Sequence, residues 1–65
     1  MKIENYNRMV INLFKDAVRG NINSERVLEV NTAISNAITE ARIQGSPTKE
    51  LEAIKYDLLY LYELL

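Results

Sequence analysis

Three basic residues near the start of the chain, Arg8, Lys15 and Arg19, are separated by steps of seven and four residues. In an α-helix these steps bring the three side chains onto one face. Such a row can bind phosphate groups or an acidic protein surface, and together with Arg26 it forms a candidate anion or nucleic-acid site. The row is sparse and contains no aromatic residue, so the pattern favours an ordinary solvated helix face.

The side chains that usually carry catalysis are missing. The chain contains no His and no Cys, so it lacks the commonest general base, the commonest metal ligand and a thiolate nucleophile. Pairs of acidic residues, Glu25 with Glu29 and Glu50 with Glu52, fall near expected helix starts, where the helix dipole favours negative charge. We therefore predict a protein that is not an enzyme, with no catalytic residue, no metal and no cofactor.

Aromatic residues gather towards the C-terminus. Tyr56 and Tyr60 are four residues apart and share a helix face, and amphipathic tyrosines are frequent in protein interfaces. In the alternative interpretation, they cover a small core with their hydroxyl groups in water. We favour an interface, either between copies of the chain or with a target protein. Its predicted residues are Tyr56, Leu59, Tyr60, Tyr62 and Leu64.

The first break in the helical pattern lies at residues 20–24. Gly20 suits the left-handed conformation that commonly ends a helix. One of three residues, Asn21, Asn23 or Ser24, can then cap the start of the next helix. We therefore predict a first helix from about residue 3 to 19.

The second break is the segment Gly45-Ser46-Pro47. Gly45 is expected to end the second helix, Ser46 to cap the third, and Pro47 to occupy its first turn, where a missing N–H group is harmless. The second helix then runs from about residue 24 to 44 and the third from about 47 to 64. Because the connection is short, these two helices should form an antiparallel hairpin.

Each predicted helix carries apolar residues at steps of three and four, the spacing of one helix packed on another. The first row is Ile3, Tyr6, Met9, Val10, Leu13, Phe14, Ala17 and Val18. The second is Val27, Val30, Ile34, Ala37, Ile38 and Ala41. The third is Leu51, Ile54, Leu58, Leu61 and Leu65. The rows predict an all-α fold of three helices.

The end of the third helix is apolar on nearly every side. Leu59, Tyr62 and Leu64 lie off its apolar row, and a single helical domain of 65 residues, spanning 1–65, has little material to cover them. Small chains usually need disulfides, a metal or oligomerisation. Since Cys and His are absent, we expect a homo-oligomer, with a dimer as the first choice and a larger helical bundle as the next.

The segment at residues 24–38 begins at Ser24 and keeps a regular apolar spacing up to Ile38. With the helix and turn before it, residues 3–38 resemble the small helical-hairpin phosphatases that dephosphorylate a response regulator in sporulating bacteria. Asn31 stands where that family has Ser, and Ser35 where it has a carboxylate. The resemblance implies a helical hairpin, and we infer no phosphatase activity from it.

These observations predict a small non-enzymatic cytoplasmic protein that acts as an oligomeric adaptor or inhibitor of a larger protein, of the kind found among phage and mobile-element accessory proteins. One alternative is a nucleic-acid-binding regulator, which is not favoured at a net charge of −1. Another is an oligomeric binder of a small anion, held between Arg19, Arg26 and the polar residues of the second helix. No apolar run approaches the roughly 20 residues of a membrane span, so no membrane partner is expected.

Overall fold

The computed structural model of the chain describes the backbone of residues 3–64 and the side chains of residues 3–63. It contains three helices, α1 (Ile3–Val18), α2 (Ser24–Gln44) and α3 (Lys49–Leu64), and no strand within this range. Each helix packs against the other two. The prediction of an all-α, three-helix chain is confirmed. Because α1 and α3 both run antiparallel to α2, they run parallel to each other.

Both glycines end a helix, as the sequence predicts. Gly20 and Gly45 have φ angles of 76° and 74°. After α2, the N–H of Gly45 donates to the carbonyl oxygen of Arg42 at 3.2 Å and the N–H of Ser46 to that of Ala41 at 2.8 Å. An equivalent pair of hydrogen bonds follows α1. These bonds satisfy carbonyl groups that the helix itself leaves without a partner.

Asn23 is the residue that caps α2. Its backbone is extended, and its side-chain oxygen accepts a hydrogen bond of 2.9 Å from the N–H of Glu25. Its carbonyl oxygen accepts from the N–H of Val27 at 3.1 Å. The helix therefore begins at Ser24, which is where the sequence places it.

The predicted start of α3 is wrong by two residues. Ser46 lies three residues before Lys49, the first residue of α3, so it is too far away to be the N-cap, and its N–H closes the end of α2. Pro47 also lies before the helix. Instead Thr48 precedes the first helical residue, Lys49. The carbonyl oxygen of Thr48 accepts from the N–H of Glu52 at 2.9 Å, and its hydroxyl donates to the carboxylate of Glu52 at 3.3 Å.

One core lies between the three helices. Its fully buried members are Val10, Leu13, Val27, Val30, Ile34, Ala37, Ile38, Ala41, Leu51, Ile54, Leu58 and Leu61. The predicted row of α2 is buried throughout, and so is that of α3 up to Leu61. Leu65, which was assigned to the α3 row, lies outside the described residues.

Val18 is an exception to the predicted row of α1. Its side chain is 88% exposed. Val10, Leu13 and Ala17 mark the face of α1 that points to the core, and each residue turns the helix by about 100°. Val18 follows Ala17 directly, so it points sideways, on the same side as Ile11.

Burial predicts the effect of shortening two leucines. Leu58 is 0% exposed in α3, whereas Leu28 is 57% exposed in α2. Leu58→Ala should lower the free energy of unfolding by about 2–5 kcal/mol, because it leaves a cavity in the core. The matched change Leu28→Ala should alter it by less than about 1 kcal/mol. Urea denaturation followed by circular dichroism measures both, and equal losses would contradict the assigned core.

Candidate interaction surface

A second apolar stripe runs along α1 beside its core-facing row. It consists of Ile11, Phe14 and Val18, at steps of three and four residues. Ile11 and Val18 are exposed and Phe14 is half-buried. These residues line a shallow depression together with Lys15 and Arg19. α1 therefore has more apolar surface than the core of a single chain covers.

A contact between two aromatic rings links this stripe to α3. The rings of Phe14 and Tyr60 stack with their centroids 6.4 Å apart and their planes inclined by 24°. Tyr60 is nevertheless 59% exposed, and Tyr56, one turn earlier in α3, is 72% exposed. We call the apolar residues that this contact joins the α1–α3 surface. It consists of Ile11, Phe14, Val18 and Tyr60, whereas Tyr56 lines the groove between α2 and α3.

The structure separates the interface residues predicted from the sequence. Tyr56, Leu59 and Tyr60 are exposed. Tyr62 is half-buried and packs against the core, so it faces inward. The side chain of Leu64 lies outside the described residues. Leu59 is on the other flank of α3, where it lines the groove towards α2.

The α1 half of the surface was not recognised in the sequence. Phe14 and Val18 were assigned to the core-facing row, and Ile11 was assigned to no row. A signal was present, because Ile11, Phe14 and Val18 repeat at helical spacing about 100° away from the row of Val10 and Leu13. Two adjacent apolar rows on one helix indicate that it packs against more than one neighbour.

Charges are distributed unevenly along this side of the molecule. Near the start of α1, a depression is lined by the carboxylates of Glu4, Glu50 and Asp57, of which Glu50 lies in the first turn of α3 and Asp57 at its middle. Towards the C-terminal end of α1, Lys15 and Arg19 flank the apolar stripe. Acidic groups therefore line one depression and basic groups the other, and exposed Arg8 lies between Glu4 and Lys15 along α1.

The four cations of the candidate anion site do not form one cluster. Arg8, Lys15 and Arg19 are exposed on α1, as their spacing implies. Arg26 lines a different depression, between α1 and α2, together with Glu29. Arg26 therefore does not line the depression in which an anion would contact Lys15 and Arg19.

A groove of about 340 Å³ separates α2 from α3. Arg42 forms an ion pair of 3.1 Å with Glu52 across it, and both side chains are well exposed. The ammonium group of Lys55 donates to the hydroxyl of Ser35 at 3.0 Å. An exposed ion pair contributes about 0–1 kcal/mol. Polar side chains of α2 thus form a hydrogen bond and an ion pair with α3 within the chain.

The described residues contain neither a cluster suited to a metal ion nor a helix suited to a membrane. Among the residues described, no group of three or more acidic, His or Cys side chains is placed to hold a metal ion. No helix within residues 3–64 combines the length and the apolar character needed to cross a membrane.

Comparison with known proteins indicates no function for this chain. No protein family, no curated protein and no solved structure matches it significantly. A helical bundle can serve many unrelated functions, so the fold alone does not indicate one. The function therefore has to be argued from the surfaces described above.

One buried polar atom predicts a stabilising substitution. The side-chain oxygen of Asn31 in α2 is buried and accepts no hydrogen bond from the described residues. Burying an unpaired polar group costs about 1–3 kcal/mol. Asn31→Leu, with a side chain of similar size, should therefore raise the free energy of unfolding by about 1 kcal/mol. Thermal denaturation should show a rise in Tm of roughly 4–8 °C for a chain of this length.

The matched control is Asn36→Leu, which makes the same change at an exposed position of α2. Its gain should be confined to the difference in helix propensity, a few tenths of a kcal/mol. A lower Tm for Asn31→Leu than for the wild type would mean that Asn31 stabilises the fold.

Proposed function

We propose that this chain acts without catalysis by binding another protein through the α1–α3 surface, as an oligomeric adaptor or as an inhibitor of a larger protein. The observation that carries this proposal is the stacking of Phe14 on Tyr60. That contact joins apolar residues of two helices into one surface. Single apolar residues scattered over a protein surface are normal, but a group of them marks an interaction site.

The composition of the surface supports this proposal. Tyr60 offers a large, rigid side chain that loses little conformational entropy on binding, which is why tyrosine is frequent at the centre of interfaces. Lys15 and Arg19 flank the apolar stripe. An apolar centre with a polar, charged rim is the usual arrangement of a protein-binding surface.

We infer that the protein works in the cytoplasm, since a chain without Cys suits a reducing compartment. Small helical proteins without His or Cys are common among the accessory proteins of phages and mobile elements. By that analogy, a larger host or phage protein is the class of target we expect. Binding of such a target would then regulate it by covering a site on it or by bringing it to a second protein.

Nucleic-acid binding is the second candidate. The observation in its favour is that Arg8, Lys15 and Arg19 are all exposed on α1. The acidic residues Glu4 and Glu50 at the other end of the same side of the molecule weaken it, because they repel the phosphate backbone.

An electrophoretic mobility assay decides between the two candidates. Under our proposal, the wild type and the triple variant R8E/K15E/R19E both fail to shift duplex DNA or RNA at low salt. A shift that is lost in the triple variant and falls steeply as salt rises would support nucleic-acid binding instead, because phosphate contacts release counterions.

A pair of matched variants tests the proposed surface. V18E/Y60E places two carboxylates on the α1–α3 surface, whereas L28E/I43E places two on exposed apolar positions of α2. All four positions are exposed, so both variants should keep the helical circular dichroism spectrum of the wild type. In affinity capture from native host cells, V18E/Y60E should recover at least tenfold less of any specific partner, including an untagged copy of the chain.

The control L28E/I43E should recover as much partner as the wild type. A partner that binds V18E/Y60E as well as it binds the wild type docks elsewhere, and the α1–α3 surface is then not the docking site.

A further inference from the structure

A row of basic residues runs beside the apolar stripe of α1. This basic row consists of Arg8, Lys15 and Arg19, which are exposed and form no ion pair among residues 3–63. Lys15 and Arg19 line the same depression as the stripe. Each residue turns an α-helix by about 100°, so the basic row lies roughly a quarter-turn around α1 from Ile11 and Val18. The two rows therefore form adjacent strips of one surface.

The contact with α3 fixes the order of these strips across the molecule. Phe14 is the member of the stripe that stacks on Tyr60, so α3 borders the stripe on one side. By the same rotation of about 100° per residue, the basic row borders the stripe on its other side, farther from α3. A helix laid along the stripe would thus touch apolar side chains beneath it and basic side chains along one flank.

The flank on the α3 side carries the opposite charge. Asp57 and Glu63 lie three residues before and after Tyr60, and both are exposed. Of the two lysines in α3, Lys49 is its first residue and Lys55 lines the groove towards α2. The surface is therefore basic along α1 and acidic along α3, with apolar residues between.

This division of charge distinguishes between classes of occupant. A phosphate backbone or an anionic membrane presents one sign of charge throughout, and the carboxylates of α3 would repel it. An amphipathic helix with one acidic flank and one basic flank can place each flank against its opposite. Its apolar row, repeating at steps of three and four residues, packs on a row of the same spacing in α1.

The length of the basic row sets the extent of the contact. Arg19 lies eleven residues after Arg8, about 16 Å along the helix axis, and its N–H continues the helix by donating to the carbonyl oxygen of Lys15 at 3.2 Å. Glu4, one turn before Arg8 on the same face, marks where the basic row begins. Asp16, the one acidic residue in this stretch, is half-buried and lies beyond the basic row, away from the stripe. A partner helix of about three turns would cover the row.

We propose that the occupant of the α1–α3 surface is an amphipathic helix of another protein, acidic along the flank that lies on the basic row of α1 and basic along the flank that lies over α3. This inference rests on the proposed function, in which that surface is a docking surface. It adds the chemical class of the partner and the side on which each of its flanks lies.

A library of displayed helical peptides tests the proposal. Each peptide has about 18 residues, enough to form a helix in water. Leu and Ala repeat at steps of three and four, and every position beside this apolar row is either Glu or Lys. Selection against the full chain at low salt should enrich peptides with Glu along one flank and Lys along the other at least tenfold over peptides with one sign of charge on both flanks.

Charge reversal on α1 locates the selected peptide. In fluorescence anisotropy at low salt, the variant K15E/R19E should bind it at least tenfold more weakly than the wild type does. A second peptide, with Lys in place of Glu along the acidic flank, should bind K15E/R19E to within a few-fold of the original affinity, which also shows that the variant is folded. The control R26E/K49E changes the net charge equally at exposed positions away from this surface, and it should bind the first peptide as the wild type does.

Several results would overturn the inference. Selection that enriches no peptide, or enriches peptides without regard to the charge of their flanks, excludes it, and so does a K15E/R19E variant that binds the selected peptide as tightly as the wild type does. A wild type that is dimeric in sedimentation equilibrium and becomes monomeric as V18E/Y60E has a second copy on this surface instead. Cosedimentation with vesicles of equal parts phosphatidylglycerol and phosphatidylcholine that K15E/R19E loses would identify a membrane as the occupant.

The capture experiment tests the proposed function separately. A protein that V18E/Y60E fails to capture but K15E/R19E retains would support the docking surface and exclude an acidic helix as its occupant.

Discussion

Burial of one narrow column of side chains on α3 holds the molecule together. Leu51, Leu58 and Leu61 lie between α1 and α2 and are almost completely inaccessible to solvent. With only three short helices, the chain can build one core, and each helix can turn only one stripe towards it. Any apolar residue outside that stripe remains exposed. The exposed part of α1 is therefore a consequence of the geometry of a small bundle that has more apolar residues than places to bury them.

The two flanks of α3 differ because their polar groups are used differently. Towards α2, Arg42 pairs with Glu52 and Lys55 bonds to Ser35, so the polar side chains of the hairpin find partners within the chain. On the α1 side, the aromatic contact between Phe14 and Tyr60 connects the helices, while the charged residues at both ends stay exposed. The polar groups of the first flank are thus paired within the chain, whereas the second flank leaves apolar and charged groups exposed.

Local rules were enough to predict the elements and most of the core. Gly20 and Gly45 end their helices because only a residue without a side chain adopts a positive φ easily. The α3 row was readable because its residues repeat at steps of three and four. The start of α3 was missed because Ser46 and Pro47 belong to the turn that follows α2 and the helix begins only after Thr48, which the composition of the turn does not reveal. The α1 half of the candidate surface was not predicted, because its position depends on the rotation of α1 about its own axis. That rotation is set by packing against two neighbours, and no local pattern specifies it.

The same geometry connects stability with binding. A chain of 65 residues buries a smaller fraction of its surface than a larger domain does and has little stability to spare, so it gains most from any partner that binds the folded state alone. Covering the exposed side chains of Ile11 and Val18 with a partner would remove apolar surface from water. Because Tyr60 contacts Phe14 and is itself largely exposed, it couples the fold to that surface: what binds there also holds α1 against α3.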